Sequence, residues 1–217
     1  MENRRNLFFG IDKSIILLIS IFAFVFIFPI IDNKMIHDFF VALSYTLVLL
    51  SIFSIVEKKS KFLTYMIIIA VTANIVMFFA NSNTVQLITF SISIITFTVA
   101  TVILIGHVAT NKNVTGAVVI QAICGYLLIG VIGVLLNAIL LGFNENAITF
   151  SEVGNKFSSV IYYSFITLTT IGYGEILPQT VIARSISIFI GASGQIYLTV
   201  VIALIVGKFL SGKLQND

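Results

Sequence analysis

Six apolar runs, each close to the length of a membrane crossing, set the first limit on this chain. They fall at residues 14–31, 39–56, 62–80, 84–106, 114–143 and 181–206. A helix needs roughly 20 apolar residues to cross a hydrocarbon core of about 30 Å. Backbone N–H and C=O groups at that depth find partners only within the protein, so runs of this length fold as helices. Of the 217 residues, 59% are hydrophobic and 10% are charged, too few polar groups for a water-soluble domain. The expected fold class is all-α integral membrane. Short connections among the first four runs make neighbours pack antiparallel as a bundle.

The basic residues set the orientation. With the N-terminus inside, the cytoplasmic side holds Arg4, Arg5, Lys13, Lys58, Lys59, Lys61, Lys112, Lys208 and Lys213, and the outer side only Lys34, Lys156 and Arg184. This positive-inside bias puts both termini in the cytoplasm. The stretch "RRNLFF" is similar to a twin-arginine export signal, but no small-residue cleavage site follows its apolar run, so 14–31 is read as a retained span. Roughly a dozen residues precede the first run and about ten follow the last, so no water-soluble domain is expected. Regulation is then expected inside the membrane part or through separate proteins. The net charge of +3 is too small to point to nucleic acid. Single Cys124, inside an apolar run, excludes an intrachain disulfide and reads as a small packed hydrophobe. Richness in Ile, Phe, Asn and Lys without Trp hints at a prokaryote and hence at a cell-membrane location.

Residues 167–178 read "TLTTIGYGEILP", and they follow a stretch, 157–169, too short to cross and expected as a re-entrant helix. Irregular backbone at membrane depth is tolerated only where protein buries it or where it lines a water-filled path. A short helix and a Gly-rich loop between two long spans therefore point to a pore. The run Thr170-Ile171-Gly172-Tyr173-Gly174 resembles the signature of potassium channels. Residues 114–206 resemble the pore domain of tetrameric potassium channels of the six-span bacterial kind, whereas over the first four runs the likeness is architectural only.

That resemblance implies six transmembrane helices plus a re-entrant pore helix and filter loop, assembled as a homotetramer in the lipid bilayer. Residues 1–107 would be a four-helix domain resembling a voltage-sensor bundle, and 108–217 the pore domain of outer helix, pore helix, filter and inner helix. Carbonyls of Thr170, Ile171, Gly172 and Tyr173 would replace the hydration shell of K⁺, with the Thr170 hydroxyl as the innermost ring. Gly172 and Gly174 would supply positive-φ geometry. K⁺ is the permeant ligand, and no other cofactor or metal is implied. Ile171 stands where Val is commoner, and both are stiff β-branched residues. The Tyr173 ring is expected to point off the axis and pack on the pore helix, where Tyr162 and Tyr163 take places often held by Trp. Glu175 replaces the usual Asp, and Ile166 stands where some relatives place a buried carboxylate, which puts filter stability and inactivation in question. Gly194, twenty residues beyond Gly174, and nearby Gly191 read equally as a gating hinge or as close-packing positions. Gln195 faces either the cavity or a neighbouring helix.

The fourth run, "TVQLITFSISIITFTVATVILIG", lacks any charge. Moving one charge through the field yields about 2.3 kcal/mol per 100 mV, so this span supplies no such gating energy. Asp38 and Glu57 lie at opposite ends of the second run rather than inside it. The hydroxyls of Thr84, Thr89, Ser91, Ser93, Thr96, Thr98 and Thr101 either line a polar crevice or ligand site or bond to their own helix or a neighbour. His107 and His37 stand at interfaces, as pH sensors or without a role. Outside, Glu145, Glu152 and Glu175 against Lys156 and Arg184 leave one net negative charge per chain, which either concentrates cations or, for Glu145 and Glu152, marks a solvated loop. Alternatives are a secondary transporter or receptor with a broken loop and a non-selective cation channel. Transporters carry paired broken helices, and only one interruption occurs here. No nucleophile–base pair, metal cluster or phosphate loop supports an enzyme.

Overall fold

The computed structural model describes the backbone of residues 2–31, 34–56, 61–80, 82–111, 114–150 and 155–214, and their side chains except at 2–11, 28, 34, 35, 37, 38, 56 and 210–214. Arg4, Arg5, Lys34, His37, Asp38, Glu57, Lys58, Lys59, Lys112, Glu152 and Lys213 lie, wholly or by their side chains, outside the described residues.

Seven α-helices are described: α1 Glu2–Phe22, α2 Lys34–Val56, α3 Lys61–Ala80, α4 Asn83–Thr110, α5 Gly116–Phe143, α6 Lys156–Leu168 and α7 Val181–Leu214. The apolar runs locate α2 to α5 to within a few residues. The helix outruns the run furthest at two places: α1 starts at Glu2 rather than Ser14, and α7 continues to Leu214 rather than ending at Val206. Hydropathy marks the lipid-facing stretch, whereas i→i−4 bonding continues into polar flanks. α1 then loosens into a π-helical segment, Ala23–Ile27, and a 3₁₀ turn, Phe28–Ile30. Pro29 explains this, because it offers no N–H to the ladder and its ring crowds the preceding turn.

Among the described residues, α3, α4, α5 and Val181–Phe209 of α7 are long and apolar enough to cross a membrane, and the apolar part of α2, Phe39–Ile55, is shorter. Each of α1 to α4 packs on the next, and both α1 and α4 lie along α5, which also carries α6 and α7. α5 is therefore the joint between the two halves. Its Gly130 lets α6 come close: a Cβ there would lie 2.5 Å from the Phe165 ring. Inside the first four helices, Phe24, Tyr45 and Phe97 stack edge to face, with centroids 6.5 and 5.4 Å apart. Asn74 ties α3 to α2 by donating to the Ala42 carbonyl (3.1 Å) and Thr46 Oγ1 (2.9 Å).

The hydroxyls of Thr89, Ser91, Ser93 and Thr96 each donate to the carbonyl four residues back on α4. For these four residues the back-bonding alternative holds. Cys124 is buried as a packed hydrophobe.

Candidate ion-conduction site

The 13-residue α6 is about 20 Å long, short of a full crossing. Asn155 starts it, its Oδ1 accepting the Phe157 amide at 2.9 Å, an N-cap that satisfies one orphan donor. Val160, Ile161, Tyr163, Ser164, Ile166 and Leu168 face inward between α5 and α7. Two polar contacts fix the wedge. Asn137 of α5 donates to Ser164 Oγ at 2.9 Å, and the Tyr163 hydroxyl lies 2.6 Å from Ser187 Oγ of α7. Tyr163 thus joins α6 to α7. At the N-terminal end, Ser158 Oγ donates to the Pro29 carbonyl (3.0 Å), so the loosened end of α1 also rests on α6.

Beyond α6 the chain turns back on itself. Thr170 N donates to the Thr167 carbonyl (3.1 Å), and Ile171 N and Gly172 N both donate to that of Ile166 (3.0 and 3.2 Å). Ile166 therefore serves this loop through its backbone, at the place where some relatives carry a carboxylate. The φ angles are positive at alternate residues, 60° at Thr170, 51° at Gly172 and 92° at Gly174, and negative at Ile171 and Tyr173. Alternating hand makes successive peptide units face the same way, unlike a strand, where they alternate. With the amides of 170–172 tied to α6, the carbonyls are left on the open side. Among the described residues, no hydrogen bond reaches the carbonyls of Thr170, Ile171, Gly172 or Tyr173. The negative end of the α6 dipole lies just behind them and favours a cation.

Thr170 is the strained member. A β-branched residue at positive φ costs roughly 1–3 kcal/mol and persists only when its surroundings impose it. Here its amide is held by Thr167, and its Oγ1 donates to the Thr169 carbonyl at 2.6 Å. Having spent its proton locally, the hydroxyl presents lone pairs, which is what a cation needs.

The Tyr173 side chain is left largely uncovered by its own chain: it is 75% exposed, and Ile171 is 54% exposed. The loop lies on an open face of the chain, so any cover for these side chains comes from outside it. Gln195 is likewise exposed rather than bonded to a helix of its own chain. Gly194, in contrast, is buried against α6, and a Cβ there would lie 2.6 Å from the Leu168 carbonyl oxygen, which favours packing over a hinge. Gly191 has ordinary room, since a Cβ there would meet only the Thr167 oxygen, at 3.5 Å.

Tyr162 and Glu175, each placed near the filter by the sequence, lie close enough for the carboxylate to act on the phenol. Hydrogen bonding toward Glu175, then some loss of solvation, then the charges of Glu175 and Tyr173 push the exposed Tyr162 phenol from 10.0 up to about 12. A raised phenol pKa means the contribution is complete below pH 10 and is lost as the pH rises through about 12. Tyr162→Phe should therefore loosen the loop after the filter at any ordinary pH. The expected result is an amide hydrogen exchange about threefold faster at residues 174–176, a modest factor because the pair is solvent-screened. Exchange unchanged from wild type would show that the pair does not hold the loop.

One supporting contact has no counterpart in the sequence reading. Two-residue strands, β1 Ile148–Thr149 and β2 Leu177–Pro178, pair antiparallel with Ile148 opposite Pro178, and Gln179 N donates to the Ala147 carbonyl at 2.8 Å. This clasp fastens the loop after α5 to the loop after the filter. Its inward residues Ala147, Ile148 and Ile176 are buried. Beside it, Lys156 and Glu145 pair at 4.0 Å, both exposed, and Arg184 Nε donates to the Pro178 carbonyl at 3.4 Å.

The segment that holds this short wedged helix and its outward-facing carbonyls also resembles a known family. Residues 114–211 match the family described as ion channel. The match covers just under half of the chain and is a likeness to ion channels over that segment. The matched segment takes in α5, α6, the glycine-rich loop after it and most of α7. No curated protein and no solved structure matches the chain.

Proposed function

We propose that this protein is a potassium-selective channel that passes K⁺ down its electrochemical gradient as a homotetramer, without steep voltage gating. The observation that carries this reading is the alternation of positive φ at Thr170, Gly172 and Gly174, with the intervening amides tied to α6. Each chain offers one such loop, and a dehydrated cation needs rings of oxygens on several sides, so four copies around one axis complete the cage. The exposure of Ile171 and Tyr173 on a single chain supports a neighbour there. In this reading the chain spans a prokaryotic cell membrane six times, both termini are cytoplasmic, and residues 1–107 form a peripheral four-helix domain beside the pore domain 108–217. The ion-binding residues are Thr170, Ile171, Gly172, Tyr173 and Gly174, supported by Tyr162, Tyr163 and Glu175.

Voltage independence rests on α4, which has no Lys, Arg, Asp or Glu between Asn83 and Thr110. Sensors open steeply because 3–4 charges per subunit supply tens of kcal/mol in the field. Reconstitution in planar bilayers tests both halves of the proposal. Under bi-ionic K⁺/Na⁺ conditions the reversal potential should lie far on the K⁺ side, and a value near zero would make this a non-selective cation channel. Voltage steps of both signs in symmetric K⁺ should give only mild rectification. A steep activation curve that survives removal of divalent ions would overturn the argument from α4.

A further inference from the structure

α7 leaves the filter at Val181 and runs about 40 Å to Lys208, at 1.5 Å per residue. There the Lys208 side chain reaches out of its own helix. Its Nζ donates to the carbonyls of Val108 (2.7 Å), Ala109 (2.7 Å) and Asn111 (2.6 Å). An ammonium has three donors, and all three are used on one target, the C-terminal end of α4. Those carbonyls belong to the last turn of α4 and its C-cap, where intrahelical amides run out and the helix dipole is negative. The neighbouring His107 carbonyl is taken by the Asn111 amide (3.2 Å) and by Asn111 Nδ2 (2.8 Å).

The cluster continues inward. His107 Nδ1 lies 2.6 Å from Gln121 Oε1 on α5, and Gln121 Nε2 donates to Ser14 Oγ of α1 at 3.0 Å. Gln121 and Ser14 are buried. At the end farthest from the filter, polar contacts thus join α7 to α4, and α4 through α5 to α1. Apolar side chains can slide past one another with little change in energy. A cation seated on three carbonyls is different, because its charge-assisted bonds are made or lost together.

We propose that Lys208 is a latch that fastens the far end of α7 to α4, so that the first four helices bias the pore through this contact. The proposal rests on the channel reading, in which the far ends of four α7 helices border the conduction path. α4 then acts as an anchor rather than a voltage sensor, consistent with its lack of charge. Any outward swing of the far end of α7 first releases all three bonds and leaves the α4 carbonyls uncapped. The latched conformation is favoured by the contact, and neutralising Lys208 shifts the population away from it.

Three measurements on the full-length reconstituted protein test this. Lys208→Met keeps the aliphatic stem and removes the donors. It should speed amide exchange over residues 106–111 about tenfold and shift the ratio of open to closed time in symmetric K⁺ by a similar factor. Lys208→Arg, which keeps charge and donors, should change both less than about threefold. In the wild type, which needs no variant to fold, acetic anhydride should acetylate Lys208 at least about tenfold more slowly than exposed Lys61 and Lys156. Unchanged exchange in Lys208→Met, faster exchange with an unchanged open-to-closed ratio, or Lys208 labelled as fast as Lys61 would each overturn the latch. Exchange and labelling need no permeating ion. A protein that conducts no K⁺ but gives the expected exchange and labelling would sink the channel reading while the contact itself stood.

Discussion

Gly172→Ala is expected to abolish potassium preference, with the K⁺/Na⁺ permeability ratio falling at least about tenfold or conducting tetramers failing to form. The reason is handedness rather than crowding. A Cβ at this position meets nothing within 4 Å in the chain, but the residue sits at φ +51°. An L-residue in the left-handed region costs roughly 1–2 kcal/mol. Four copies in a ring raise that to about 4–8 kcal/mol, comparable with the whole stability of many folded domains. The chain's alternative is to relax φ to a negative value. That turns a peptide unit over, releases the Gly172 amide from the Ile166 carbonyl, and takes one carbonyl oxygen per subunit out of the cage. Gly106→Ala is the control, because that position is equally open but lies in α4 without a positive φ. It should leave selectivity unchanged. A Gly172→Ala channel with wild-type reversal potential would mean that this loop is not the selectivity element.

Much of this architecture is legible in the sequence because a single physical signal dominates each part. Uninterrupted apolar length marks a membrane helix, which is why α3, α4 and α5 fall within a few residues of their runs. α6 is legible as a short helix because its apolar stretch ends at a glycine-rich loop, and Asn155 turns out to cap its start. The glycines at 172 and 174 announce positive φ, and both have it. Thr170 has it too, and nothing in the sequence foretells this, since a β-branched residue adopts that conformation only under constraint from neighbours. The closeness of Tyr162 to Glu175 depends on how the loop folds back over α6. The β1–β2 clasp is two residues on each side, too short for an alternation pattern to register. Lys208 reads in the sequence simply as one of nine inner-side cations. Its partners lie about a hundred residues away along the chain, and no local pattern announces a lysine that caps another helix. The Tyr173 ring is 75% exposed on the single chain, a side-chain placement that the motif itself does not fix.

Gly194→Ala separates the two roles left open for the glycines of α7. If Gly194 were a hinge, alanine would stiffen α7, changing gating while leaving the filter and the assembled stability alone. The structure favours the other outcome. The added methyl would lie 2.6 Å from the Leu168 carbonyl oxygen and 2.8 Å from its Cδ1. The side-chain carbon can move aside, but the backbone oxygen sits at the end of α6, immediately before Thr169 and Thr170. Alanine gains up to about 1 kcal/mol over glycine inside a helix. Overpacking against backbone costs roughly 1–3 kcal/mol, so the clash outweighs the gain in each chain. The strain is delivered to the one segment that aims the filter, since the amides of Thr170, Ile171 and Gly172 all hang from carbonyls in the last turn of α6. The expected result is a tetramer that dissociates several degrees lower in detergent, together with a K⁺/Na⁺ permeability ratio reduced about fivefold. Gly191→Ala serves as the internal reference. Its methyl would have only the Thr167 oxygen at 3.5 Å, an ordinary contact, so helix propensity should make that variant neutral or slightly more stable. If Gly194→Ala instead kept wild-type selectivity and melting but altered open times, Gly194 would be a hinge, and its close approach to Leu168 would be incidental.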